Sequence, residues 1–155
     1  MTDKQPLKVF FDLDGVLADW EYAFKQNACV TLKRFNGMSK AEKDEVKQNL
    51  FDYEFFYCMR KIERGMELYQ SFVSAGVPVA ILSATGHINK DEVTRAKMHW
   101  VADNLGSDVR LILVDKVDQK GLYVDPAYRT CILVDDRQKA IDAWEAAGGR
   151  GLLFK

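Results

Sequence analysis

Four short apolar runs constrain what this chain can fold into. Leu7 to Phe11, Pro78 to Leu82, Val109 to Val114 and Cys131 to Val134 are rich in Val, Ile, Leu and Phe and lack polar alternation. Strands covered on both faces read this way. Gly151 to Phe154 makes a weaker fifth. Between the runs lie helical patterns. Val93, Ala96, Trp100, Val101 and Leu105 fall on one helix face, and so do Ala140, Ile141 and Trp144 ahead of Gly148, a C-terminal cap. Strands alternating with helices predict an α/β fold with a parallel sheet covered on both sides.

The 155 residues, 48% hydrophobic, suffice for one sizeable core and are too few for two ordinary domains. Twenty-two Lys plus Arg against 23 Asp plus Glu leave a net charge of -1, which argues against a broad basic face and against polymeric nucleic acid as partner. No apolar stretch approaches the roughly 20 residues that span a bilayer. The N-terminal stretch, with Asp3, Lys4 and Gln5, leads straight into a strand pattern without a signal-type apolar segment. A cytoplasmic protein is expected. Cys29, Cys58 and Cys131 lack disulfide or zinc spacing and are expected to be reduced thiols, mostly filling the core.

One connection is too long for a simple crossover. Residues 20–76 carry several helical patterns, among them the capping box Ser39-Lys-Ala-Glu42 and a face of Ile62, Met66, Tyr69, Phe72 and Val73. The last helix serves the crossover; the remainder, about forty residues, reads as a helical cap over the sheet's C-terminal edge. The expected division is a core of 1–19 and 77–155 with the insertion 20–76 between. The aromatic cluster Phe51, Tyr53, Phe55, Phe56 and Tyr57 is most simply a miniature core, with a pocket for a planar ligand as the functional alternative.

Ligands of open parallel sheets sit beyond the carboxyl ends of the strands. There the chain places Asp12-Leu-Asp14-Gly15, Ser83-Ala84-Thr85-Gly86, Asp115-Lys116 and Asp135-Asp136-Arg137. Two acidic pairs facing each other concentrate negative charge that a cation would neutralise, and oxygen-rich ligation suits Mg²⁺. A bound Mg²⁺ would attract a phosphate, with Gly15 and Gly86 letting backbone N–H groups approach and Ser83 as a further donor. Taken singly, Asp-Gly is common turn chemistry and Asp135-Asp136 a common helix cap. The turn and cap readings weaken because all these groups fall at strand ends that share one edge.

Phe10-Phe-Asp-Leu-Asp-Gly-Val-Leu-Ala-Asp19, Ile81-Leu-Ser-Ala-Thr-Gly86, a lysine, and Ile132-Leu-Val-Asp-Asp-Arg137 resemble the four ordered motifs of haloacid dehalogenase (HAD) superfamily phosphatases. Within it, the Asp-Gly-Val-Leu-Ala-Asp form, the helical insertion after the first motif and the Val-Asp-Asp-Arg137 ending are similar to the 5'(3')-deoxyribonucleotidases and their small phage and bacterial relatives, and Trp144 to Phe154 resembles the small phage-type members in particular. The resemblance implies a Rossmann-like three-layer parallel sheet core with a small helical cap inserted after the first strand. It implies Asp12 as nucleophile, Asp14 as general acid and base, and Ser83, Ala84, Gly15 and a lysine as phosphate-binding. It also implies Mg²⁺ held by Asp12, the Asp14 carbonyl, Asp135 and Asp136, the order of the last two being open.

The lysine is ambiguous. Lys120 matches the arrangement of the phage-type relatives and is preferred; Lys116, directly after a strand, is the alternative. Lys97 is a third possibility but lies inside a helical pattern and is expected instead to be a solvated surface residue. His87, beside the second motif, is expected to be a solvated loop residue, with a substrate contact as the alternative, and His99 no metal ligand. The implied activity is hydrolysis of a small phosphate monoester, most simply a (deoxy)ribonucleoside monophosphate whose base rests on Trp20, Phe24, Phe55 or Phe56. Alternatives are sugar phosphates or nucleic-acid 3'-phosphate ends, a receiver-type phospho-acceptor domain, and an idle binding module.

Overall fold

The computed structural model describes residues 4–155; Met1 to Asp3, part of the polar N-terminal stretch, lie outside the described residues. The apolar runs become β1 (Gln5–Phe11), β2 (Val79–Ala84), β3 (Leu111–Val114), β4 (Tyr128–Asp135) and β5 (Arg150–Leu153). They form one sheet of order β3-β2-β1-β4-β5, parallel at every pairing. This is the α/β, Rossmann-like arrangement expected. Receiver-type domains have the order 2-1-3-4-5 instead, so the topology removes that alternative.

Burial on both faces explains why the strands carry no polar alternation. Val9 and Phe11 enter one apolar cluster with Ile81, Val93 and Trp100, while Phe10 enters the other with Leu82, Leu133, Ile141 and Trp144. The covering helices are α6 (Lys90–Asn104) on the first face and α7 (Gln138–Ala146) with a 3-10 helix, Val117–Tyr123, on the second. β3 starts two residues later than the apolar run, because the Val109 N–H turns back to the Gly106 carbonyl at 3.4 Å. Gly148, at φ +99°, follows the last turn of α7 as anticipated for a C-terminal stop.

Five helices lie between β1 and β2: α1 (Trp20–Asn27), α2 (Leu32–Asn36), α3 (Lys40–Leu50), α4 (Tyr53–Tyr57) and α5 (Glu63–Ser74). α3 starts with the Ser39/Glu42 capping box, closed by bonds of 3.1 and 3.2 Å. Tyr69 and Phe72 of α5 meet Phe11 edge-on, whereas Val73 is turned out to solvent. Several hydrogen bonds tie the insertion to the core, among them two at its α6 and β2 sides. Tyr53 shares a 2.6 Å hydrogen bond with His99 of α6, and the Asn89 amide donates to the carbonyls of Gln48 and Phe51 at 3.0 and 2.7 Å. The second tie brings the end of α3 against the loop leaving β2.

Two expectations are corrected here. Of the three free cysteines only Cys131 is buried; Cys29 and Cys58 are exposed, so core filling accounts for one thiol. Phe24, Phe55 and Phe56 are buried, Phe24 against Phe35 and Phe55 against Phe56 with centroids 5.0 and 4.9 Å apart. The insertion needs an interior of its own, and these rings are it, which leaves them no accessible face for a ligand. Among the described residues no helix is long and apolar enough to cross a membrane.

Candidate active site

The strand order reverses between β1 and β4, whose following segments leave in opposite directions and open a crevice at their carboxyl ends. Phe11 pairs with Val134, so Asp12, the first residue past β1, comes to lie beside Asp135, the last of β4. The Asp12 N–H donates to the Val134 carbonyl at 2.8 Å and fixes that placement. Both aspartates are buried, at 5% and 0% exposure. One carboxylate oxygen each from Asp12, Asp135 and Asp136 lies within 4.8 Å of the others.

A lysine is driven into this cluster. Lys120, on the 3-10 helix, is 1% exposed and donates to Asp12 Oδ1 at 2.9 Å and to Asp135 Oδ2 at 2.7 Å. Lys116 stays exposed at the start of the same helix. Burial alone would lower the Lys120 pKa, but Asp12 and Asp135 outweigh it and hold the ammonium above its ordinary value. Burial, with Asp12 beside it, pushes Asp135 up to about 6 against the pull of Lys120. The same two causes, with Asp135 added, push Asp136 up to about 8. Three carboxylates balanced by one ammonium leave an excess of negative charge. Three hard oxygen donors at this spacing fit a small divalent cation that would relieve it.

Gly15 is required here. Its φ is +84°, and a Cβ would stand 2.0 Å from Asp136 Oδ2, so only glycine lets the loop after β1 pass the cluster. The Gly15 N–H is engaged by the Ala18 carbonyl at 2.8 Å, and that of Gly86 by the Asp115 carbonyl at 3.0 Å, so neither glycine offers its own amide.

The loop after β1 also carries Asp14, whose carboxylate turns away from the three-aspartate group toward β2 and α6. There lies a residue misjudged from sequence. Lys97 is 1% exposed, and its ammonium donates to Asp14 Oδ2 at 2.9 Å, Ser83 Oγ at 2.8 Å and the Ala84 carbonyl at 2.8 Å. The signal was present: Lys97 falls four residues after Val93 and three before Trp100, inside the apolar stripe of α6. Asp14 Oδ1 is buried without a partner. Burial raises the Asp14 pKa, with Lys97 opposing. Among Trp20, Phe24, Phe55 and Phe56, Trp20 alone is partly exposed, as are Phe51, Tyr53 and Tyr57 of the aromatic cluster; Trp20 stacks on Phe24 at 5.2 Å.

The fold is shared by solved hydrolases. A haloacid dehalogenase-like hydrolase from Streptococcus pneumoniae superposes with TM-score 0.61 at 15% identity, over 96% of this chain and 84% of that one. This chain has a HAD-like fold. A HAD-type hydrolase from Bacillus subtilis, solved bound to magnesium, gives 0.61 at 16% identity over 96% and 88% of the two chains. A HAD family enzyme from Bacteroides thetaiotaomicron, solved with magnesium and inorganic phosphate, gives 0.53 at 12% identity over 97% and 94%. At such identities the likeness is one of fold. No protein-family model matches the chain, and no curated protein does.

Proposed function

We propose that the protein is a Mg²⁺-dependent phosphomonoester hydrolase that works through an aspartyl phosphate on Asp12. The observation that carries this reading is the convergence of Asp12 with Lys120, Asp135 and Asp136, more than a hundred positions further along the chain, at the HAD-like switch crevice, with Asp12, Asp135 and Lys120 buried and Asp136 open to solvent. The magnesium complexes of two HAD-like neighbours support the choice of metal. Asp12, Asp135 and Asp136 would hold the ion, which supplies positive charge against the transferring phosphoryl group.

The chain's own residues then divide the chemistry. One Asp12 oxygen attacks phosphorus and the bond to the leaving oxygen breaks, while Asp14 passes a proton to that oxygen. Water next attacks the aspartyl phosphate, Asp14 takes the water proton, and the phosphorus–Asp12 bond breaks to release orthophosphate. An ammonium has three donors, and Lys120 has two engaged, by Asp12 and Asp135; the third is left for a phosphoryl oxygen. Ser83 Oγ accepts from Lys97 and so keeps its own hydrogen for a second phosphoryl oxygen.

A nucleoside monophosphate is the substrate the sequence resemblance favours, with half-exposed Trp20 as the surface for its base. The test is a panel of nucleoside monophosphates, sugar phosphates and a 3'-phosphorylated oligonucleotide, each with Mg²⁺ and with a chelator. Metal-dependent release of phosphate with the highest kcat/KM on nucleoside monophosphates is expected. Phosphate release unaffected by the chelator would overturn the metal reading, and no preference for nucleotides the substrate reading.

A further inference from the structure

Burying a lysine costs several kcal/mol unless its charge and hydrogens are satisfied, and a methionine would fill the same space without that cost. Lys97 is nonetheless sealed on the core side of the insertion, with the Phe56 ring 5.5 Å from its ammonium. Packing therefore does not explain its charge. What it holds does. Each of its three hydrogens has an acceptor: Asp14 Oδ2, Ser83 Oγ and the Ala84 carbonyl. Unlike Lys120, it has no donor left to offer a substrate. Its effect must run through the groups it anchors.

We propose that Lys97 is a positioning residue that makes the two oxygens of Asp14 unequal. Oδ2 is tied to the ammonium, and Oδ1, buried and without a partner, is the one that exchanges the proton with the leaving oxygen. By filling an acceptor site on Ser83 Oγ, the same ammonium turns that hydroxyl's hydrogen outward as a donor. The Ala84 carbonyl, at the end of β2, is the fixed point against which both are held. One side chain thus sets the proton-transfer group and the phosphate-binding hydroxyl in register. The inference rests on the phosphohydrolase reading above and adds a division of labour between the two buried lysines.

Leaving-group dependence tests it. A p-nitrophenolate leaves without a proton, whereas the alkoxide of glycerol phosphate needs one, so loss of ordered proton transfer penalises the second substrate selectively. With Mg²⁺ present, Lys97→Met should lose roughly 100-fold or more in kcat/KM on glycerol phosphate and less than about tenfold on p-nitrophenyl phosphate. Mg²⁺ affinity, read by calorimetry without substrate, should match that of the wild type. Lys97→Gln, which keeps a neutral donor, should show the same split to a smaller degree and serves if the methionine variant does not fold. An equal loss on both substrates, or wild-type rates on both, overturns the proposal. A wild-type protein inactive on both and on the nucleoside monophosphates overturns the phosphohydrolase reading, and the inference with it.

Discussion

The two halves of the crevice bury one lysine each and use it differently. On the β1/β4 side, Lys120 stands among three carboxylates, Asp12, Asp135 and Asp136, and leaves them with surplus negative charge. On the β2/α6 side, Lys97 meets a single carboxylate, a hydroxyl and a carbonyl, and the local charge is balanced. The first half is built to attract a cation and through it a phosphoryl group. The second is saturated and can only hold its own members in place. Equal burial of two like side chains says little about their roles; the count of unengaged donors and the charge balance around each decide.

The strongest way to break this comparison is at Asp12. Asp12→Asn should cut turnover by at least about 10⁴-fold on every substrate, since the nucleophile is lost whichever group leaves. Near-normal rates measured on the purified variant would show that the acidic half is not where the phosphoryl group is received. Asp14→Asn sharpens it from the other side, with a loss of about 10²–10⁴-fold on alkyl phosphates, read by phosphate release.

Lys120→Met should lower turnover by about 10²–10³-fold. The same change should tighten Mg²⁺ binding, because it removes the ammonium that pairs with Asp12 and Asp135. Calorimetry showing weaker Mg²⁺ binding in that variant would erase the distinction between the halves.

The smallest effect belongs outside both halves. Ser39→Ala, at the start of α3, should cost about 1 kcal/mol of stability and leave kcat/KM unaltered. The Ser39 N–H and hydroxyl hold Glu42 below its ordinary value of 4.5. Its contribution is therefore complete above that value and is lost as pH falls through the lower folded one. The melting difference between wild type and variant should shrink in acid. A difference constant from neutral pH to acid would show that the Glu42 carboxylate contributes nothing to the cap.

Much of this was legible in the chain. The doubly covered strands announced themselves by apolar runs without alternation, and the aspartates by their position at the ends of those runs. What periodicity missed has physical causes. Lys97 looked like a surface residue because charge is normally solvated; its burial depends on acceptors from Asp14, Ser83 and Ala84, none of them on α6. Glycine at positions 15 and 86 marked where backbone can come close to a ligand, but not that the N–H groups of those two glycines are used in closing loops. Phe24, Phe55 and Phe56 looked like a platform because aromatic clusters can be either core or pocket, and only packing tells which.

The sequence by itself determined which side chains would be delivered to the carboxyl edge of a parallel sheet, because strand length and hydrophobic pattern are local properties of the chain. Only the tertiary structure decided which of those groups share a charge, which donors remain free, and that Lys120 rather than Lys116 reaches Asp12. Hydrogen bonds and electrostatic fields depend on distances of a few ångströms between residues far apart in the chain, and no local pattern carries them.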